Sequence, residues 1–94
     1  MRIVNRRTFV AKRGHIDEAV KLLKGEEGGD IVSRVYRCHY GTIDAVALEV
    51  EFESVAAMEQ GWADWYASPL GEQVMKRWLE ITEPGGSNEV WILE

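Results

Sequence analysis

Few side chains in this 94-residue chain could carry chemistry of their own. Cys38 and His39 are neighbours on a segment with strand-like alternation, which sends consecutive residues to opposite faces. They therefore cannot ligate one metal ion or form a thiolate pair. His39 by itself could act as a general base, although a surface or hydrogen-bonded histidine is the commoner outcome. His15, beside Arg13 at a helix start, reads as solvated. Asn5 lies within a strand. Its amide needs partners if buried, and orienting a substrate oxygen would use them; an exposed asparagine on an edge strand is the bland alternative. Glu49 and Glu51 share a strand face about 7 Å apart, a spacing that suits a carboxylate pair and equally suits solvated edge charges. The sequence contains no Ser-His-Asp order, HExxH, CxxC or GxGxxG pattern, and no metal site is expected.

Aromatic residues offer a different kind of site. Trp62, Trp65 and Trp78 fall on one helical stretch, with Tyr66 beside them and Tyr36 and Tyr40 on a strand. Core or interface packing is the usual use of such rings. A groove between helix and sheet lined by them would also hold a flat organic molecule, because ligand pockets are mostly apolar with a few orienting polar groups. The expected site is therefore Asn5 and His39 as catalytic groups, with Trp62, Trp65, Tyr66 and Tyr36 contacting the substrate.

The elements that must position these residues follow from periodicity. A first strand spans about Ile3 to Ala11, ended by Lys12-Arg13-Gly14. From His15 to Lys24 the apolar residues Ile16, Ala19, Val20 and Leu23 recur at helical spacing. Gly25 to Asp30 reads as an acidic loop; it lacks the lysine and following helix of a phosphate cradle. Ile31 to Tyr40 and Ala45 to Phe52 form a hairpin across Gly41-Thr42-Ile43-Asp44. In its second strand Val46, Leu48, Val50 and Phe52 alternate with Ala45, Ala47, Glu49 and Glu51, as one helix-covered face requires. Ser54 caps a long second helix that breaks and restarts at Ser68-Pro69, and Pro84 to Asn88 leads into a last strand, Glu89 to Leu93. The fold class is α+β: ferredoxin-like βαββαβ, a four-stranded antiparallel sheet with two helices on one face, in a single domain over residues 1–94.

Composition narrows the partners. Asp and Glu outnumber Lys and Arg, 16 to 11, and no basic stripe forms, so nucleic acid is not expected. Apolar runs fall well short of the roughly 20 residues that cross a bilayer, so no membrane association is expected either. A single cysteine suits a reducing, cytoplasmic location. Both faces of the second strand carry apolar groups, Ile31 and Val35 on one and Val32, Tyr36 and Cys38 on the other. A sheet that is apolar on both sides calls for cover on its second face, and a homodimer with Arg6 or Arg34 neutralising Glu49 or Glu51 inside the contact would supply it.

The element order, the length, the tryptophan-bearing second helix interrupted near Ser68-Pro69 and the short last strand together resemble the dimeric α+β barrel superfamily, which includes antibiotic-biosynthesis monooxygenases, haem-degrading monooxygenases and NIPSNAP-like proteins. The likeness covers essentially the whole chain. Asn5-Arg6-Arg7-Thr8-Phe9 is similar to the first strand of the haem-degrading enzymes, where an asparagine points into the haem pocket. Ala63-Asp64-Trp65-Tyr66-Ala67-Ser68 is similar to their second helix, where a tryptophan presses on the porphyrin. Their iron-ligating histidine, further along that helix, falls on Met75, so no haem or other cofactor is expected. The resemblance implies a cofactor-independent monooxygenase-like enzyme acting on a small aromatic, quinol-type substrate. The alternative is a homodimer that binds a small hydrophobic, aromatic or haem-like ligand without turning it over, or has a purely structural role.

Overall fold

The computed structural model describes residues 1–25 and 31–94. Its elements run β1 (Ile3–Val10), α1 (Ile16–Lys24), β2 (Ser33–Arg37), β3 (Ala45–Phe52), α2 (Val55–Ala67), α3 (Pro69–Ile81) and β4 (Ser87–Ile92). The strands form one antiparallel sheet in the order β2-β3-β1-β4, the ferredoxin-like arrangement expected. The acidic loop anticipated after Gly25 lies outside the described residues.

Register decides which residues face the helices. Asn5 pairs with Val50, Arg7 with Leu48 and Phe9 with Val46, and directly opposed residues point to the same side. Ile3, Asn5, Arg7 and Phe9 therefore share the helix side with Val46, Leu48, Val50 and Phe52. Val4, Arg6 and Thr8 share the open side with Glu51, Glu49 and Ala47. On the helix side Ala11, Ala19, Val46, Trp78 and Ile81 form the buried core, with Phe9 and Trp78 edge to face at 4.9 Å. The Arg77 guanidinium donates to both carboxylate oxygens of Glu18, at 2.6 and 2.7 Å, and ties α3 to α1. Arg37 donates to Asp17 at 2.7 Å and ties β2 to α1.

Both expected serine caps form. Ser54 Oγ accepts from the amide of Ala57 at 3.0 Å, and Ser68 Oγ accepts from the amide of Gly71 at 2.9 Å while donating to the carbonyl of Trp65 at 2.7 Å. This elbow is tight enough to need glycine: a Cβ on Gly71 would lie 1.8 Å from the Trp65 carbonyl oxygen. The elbow swings Trp62 and Trp65 on α2 and Trp78 on α3 over the same side of the sheet.

Two boundaries differ from the sequence reading. β2 is the shorter Ser33–Arg37, because the chain leaves the ladder for a turn in which Gly41 and Asp44 take positive φ values of 139° and 62°. His39 and Tyr40 thereby lie beyond the strand. β4 begins two residues early, at Ser87, behind Gly86, whose φ of 100° and close approach to the Thr8 carbonyl exclude a side chain. In addition, β1 is an inner strand between β3 and β4, so Asn5 is not an exposed edge residue.

Candidate ligand cavity

A cavity of about 520 Å³ opens between the helix side of the sheet and the three helices. Leu48, Val50 and Phe52 form its floor, Trp62 and Trp65 stand on one wall, and Met75 and Trp78 stand on another. Its volume lies within the roughly 300–1,000 Å³ range typical of small-molecule pockets.

Trp62 is held from several directions. Its indole N–H donates to Asn5 Oδ1 at 2.8 Å, and its ring lies 6.3 Å from that of Phe52 and 6.2 Å from that of Tyr66. The Arg7 guanidinium sits 4.0 Å from the centroid of the same indole. Arg7 Nε donates to Asn5 Oδ1 at 3.2 Å, and Arg7 Nη1 donates to the Tyr66 hydroxyl at 2.7 Å.

Asn5 is the hub of this arrangement, and only 1% of its surface is exposed. Its amide nitrogen donates to Asn88 Oδ1 at 2.7 Å and to the Glu89 carbonyl at 2.8 Å. Its oxygen accepts from Trp62 and Arg7, so both donors and both lone pairs are used within the protein. Asn5 does not line the cavity. The structure places it as a brace for Trp62 and Arg7, where the sequence reading had it orienting a substrate oxygen.

The other expected site residues divide. Trp62 and Trp65 line the cavity; Tyr66 does not, but its hydroxyl accepts from Arg7, which does. Tyr36 and His39 do not join them. Alternation along β2 turns Tyr36 to the open side, where its hydroxyl donates to Glu49 at 2.9 Å. His39, past the end of β2, is exposed and packs edge-on against Tyr40 at 4.6 Å. Sequence reasoning missed Arg7 and Asn88. A cation between Asn5 and Phe9, at the same alternation as Leu48, was a usable signal; the pairing of Asn5 with a residue 83 positions away was not.

The open side carries a charge network. Glu49, 7% exposed, accepts from Arg6 Nε at 2.7 Å, from Arg34 Nε at 3.3 Å and from Tyr36. Arg34 and Arg2 donate to Glu51 at 3.0 and 3.2 Å. Burial pushes the Glu49 carboxyl up, but hydrogen bonds from Arg6, Tyr36 and Arg34 outweigh it and hold the group below the usual carboxylate range. Bonds from Arg34 and Arg2 lower Glu51 likewise. The two carboxylates anticipated as a possible pair are thus bound up with arginines from their own chain.

Among the described residues no cluster of His, Cys, Asp or Glu could hold a metal ion, and no helix is long and apolar enough to cross a membrane. Met75 lines the cavity where the resemblance puts an iron-ligating histidine, and neither His15 nor His39 lines it. This donor set does not fit haem iron.

No protein-family model matches the chain, and no curated protein matches its sequence. Solved structures do. A NIPSNAP family protein from Agrobacterium tumefaciens superposes with a TM-score of 0.83 at 17% identity, covering 100% of this chain and 94% of the other. A NIPSNAP domain protein from Burkholderia xenovorans gives 0.81 at 16% identity, over 98% and 94% of the two chains. A Deinococcus radiodurans protein, provisionally named as an antibiotic biosynthesis monooxygenase, gives 0.65 at 15% identity, over 98% and 92%. The chain therefore has the α+β fold shared by NIPSNAP and monooxygenase-like proteins, as the resemblance implied.

Proposed function

We propose that the chain binds one small, flat, largely apolar molecule in the cavity between sheet and helices, and works as a homodimer joined through the open side of the sheet. One observation carries the binding reading: about 520 Å³ of space walled by Trp62, Trp65 and Trp78 lies beneath helices that a filled core would have closed over. Indole faces suit planar rings. Tryptophan emission is the direct readout. Titration with hydroquinones, flavin, haem and a fatty acid is expected to quench it with the flat aromatic probes, and emission unmoved by all of them overturns the reading.

The dimer is supported by the character of the open side. Exposed Tyr36 and the 57% exposed Trp91 stand there, and the Glu49 and Glu51 charges are already paired within one chain. Paired and hydrogen-bonded charges cost less to desolvate than free ones. Light scattering is expected to give about twice the 10.7 kDa chain mass; the single-chain mass at micromolar concentration removes the proposal. The single cysteine, Cys38, fits a cytoplasmic setting for such a protein.

A second reading is oxygenation, without a cofactor, of a phenol or naphthol that bears hydrogen on its para carbon, favoured by Arg7, which is fixed where it could hold a phenolate. One atom of O₂ would end as a carbonyl on the ring carbon para to that oxygen. The other would leave as water, with the hydrogens of that carbon and of the phenol. Among the described residues the wall holds no carboxylate, histidine or tyrosine, so the phenol proton goes to solvent. Oxygen uptake with a panel of phenols and naphthols unsubstituted at that carbon tests this, and equal rates for wild type, Trp65→Ala and no protein exclude it.

A further inference from the structure

The arginines of this chain follow a pattern with one exception. Arg2, Arg6, Arg13, Arg34, Arg37 and Arg77 each lie within ion-pair distance of a carboxylate. Arg7 has no such partner among the described residues, in a chain where acidic groups outnumber basic ones 16 to 11. It is also the arginine that lines the cavity. A half-buried guanidinium loses hydration, and stacking on Trp62 offsets only part of that cost. The structure nevertheless holds Arg7 in one orientation, through Asn5 at 3.2 Å, Tyr66 at 2.7 Å and the Trp62 face. A guanidinium fixed in this way gives up little freedom when it binds an acceptor.

The rest of the wall agrees in sign. The other charged side chains lining the cavity are Lys21 and Lys24, both exposed in the last turn of α1, and no carboxylate lines it among the described residues. The charged side chains of the described wall are therefore all cationic, in a protein of net charge −5. Two of the five N–H donors of Arg7 are used by Asn5 and Tyr66, and the others can reach a further acceptor. A neutral ligand would gain packing alone; an anion would add a charge-assisted, bidentate bond to it.

We propose that the occupant of the cavity is an organic anion: a flat aromatic molecule bearing one carboxylate or phenolate, its charge against Arg7 and its rings against Trp62, Trp65 and Trp78. This rests on the binding reading above and adds the sign of the ligand to it. The test uses the whole protein and matched probes, 1-naphthoate against 1-naphthamide and anthracene-9-carboxylate against its carboxamide, by tryptophan quenching and calorimetry at neutral pH. Each carboxylate is expected to bind at least about tenfold more tightly than its amide, the gain of one hydrogen bond to a charged group. In Arg7→Gln that ratio falls to about one, and Arg7→Lys keeps part of it. Lys21→Gln with Lys24→Gln lowers carboxylate affinity less, by an amount that about 0.5 M salt removes. Should Arg7→Gln fail to fold, the acid-to-amide ratio of wild type and of Arg7→Lys still decides. Equal affinities for acid and amide in wild type overturn the anion inference and leave the cavity reading standing. Binding of neither probe overturns both.

Discussion

Arg6 and Arg7 are neighbours in β1 with identical chemistry and opposite surroundings. Arg6 stands across from Glu49 on β3 and is neutralised by it; Arg7 stands across from Leu48 and meets no acid among the described residues. Strand alternation alone separates them, sending one to the open side of the sheet and the other under the helices. On the open side a guanidinium is part of a network with Glu49, Glu51 and Tyr36, in which both carboxylates are paired within the chain. On the helix side the same group is braced by neutral partners and lines the cavity. One sheet thus presents two faces that differ in how their arginines are paired.

The largest expected effect breaks the helix side at its elbow. Gly71→Ala puts a methyl group against the Trp65 carbonyl. It should cost about 3 kcal/mol or more, since the nearest atoms belong to the Trp65 backbone carbonyl, which has little room to yield. The thermal midpoint and affinity for aromatic probes should fall together.

Trp62→Ala comes next. It removes a half-buried ring, the partner of Asn5 Oδ1 and the face under Arg7, for about 2–3 kcal/mol. Trp62→Phe keeps a ring, loses the N–H and should cost about 1 kcal/mol. Denaturant titration measures both.

Glu49→Gln addresses the open side. Arg6, Arg34 and Tyr36 lose a shared anionic acceptor, for about 1–2 kcal/mol in denaturant titration. Ligand affinity should not change, and a change would show the two faces to be coupled.

The smallest effect is in pH. Glu49 and Glu51 have folded values below the ordinary carboxylate range, so they bind fewer protons folded than unfolded at acid pH. Their stabilisation is complete above the unfolded value of about 4.3 and is lost as the pH falls through the folded values. Stability should be flat in this respect from pH 7 to pH 5 and decline below about 4. Glu49→Gln should make the acid limb shallower.

Much of this contrast could be read in the sequence. The alternation of Ala45 to Phe52 gave β3 to the residue and assigned its faces, and Ser54 and Ser68-Pro69 marked both helix starts. Those signals are local, and local geometry enforces them. Neutralisation of Glu49 or Glu51 by Arg6 or Arg34 was anticipated inside a dimer contact; that the pairs form within one chain depends on the strand order β2-β3-β1, which periodicity does not state. Tyr36 and His39 were misplaced because β2 was read as longer than it is and its face was left open. Asn5 was rightly singled out as an amide in need of partners, yet those partners come from α2 and β4 and leave none of it for a ligand.

The four indole N–H groups allow one measurement to compare the two faces directly. Trp62, Trp65 and Trp78 line the cavity, whereas Trp91 pairs with Val4 and stands on the open side. In a ¹⁵N-labelled sample titrated with 1-naphthoate, the resonances of Trp62 and Trp65 should shift with saturation, that of Trp78 with them, and that of Trp91 should stay in place. A shift confined to Trp91, with the other three unmoved, would put the ligand on the wrong side of the sheet and contradict the account.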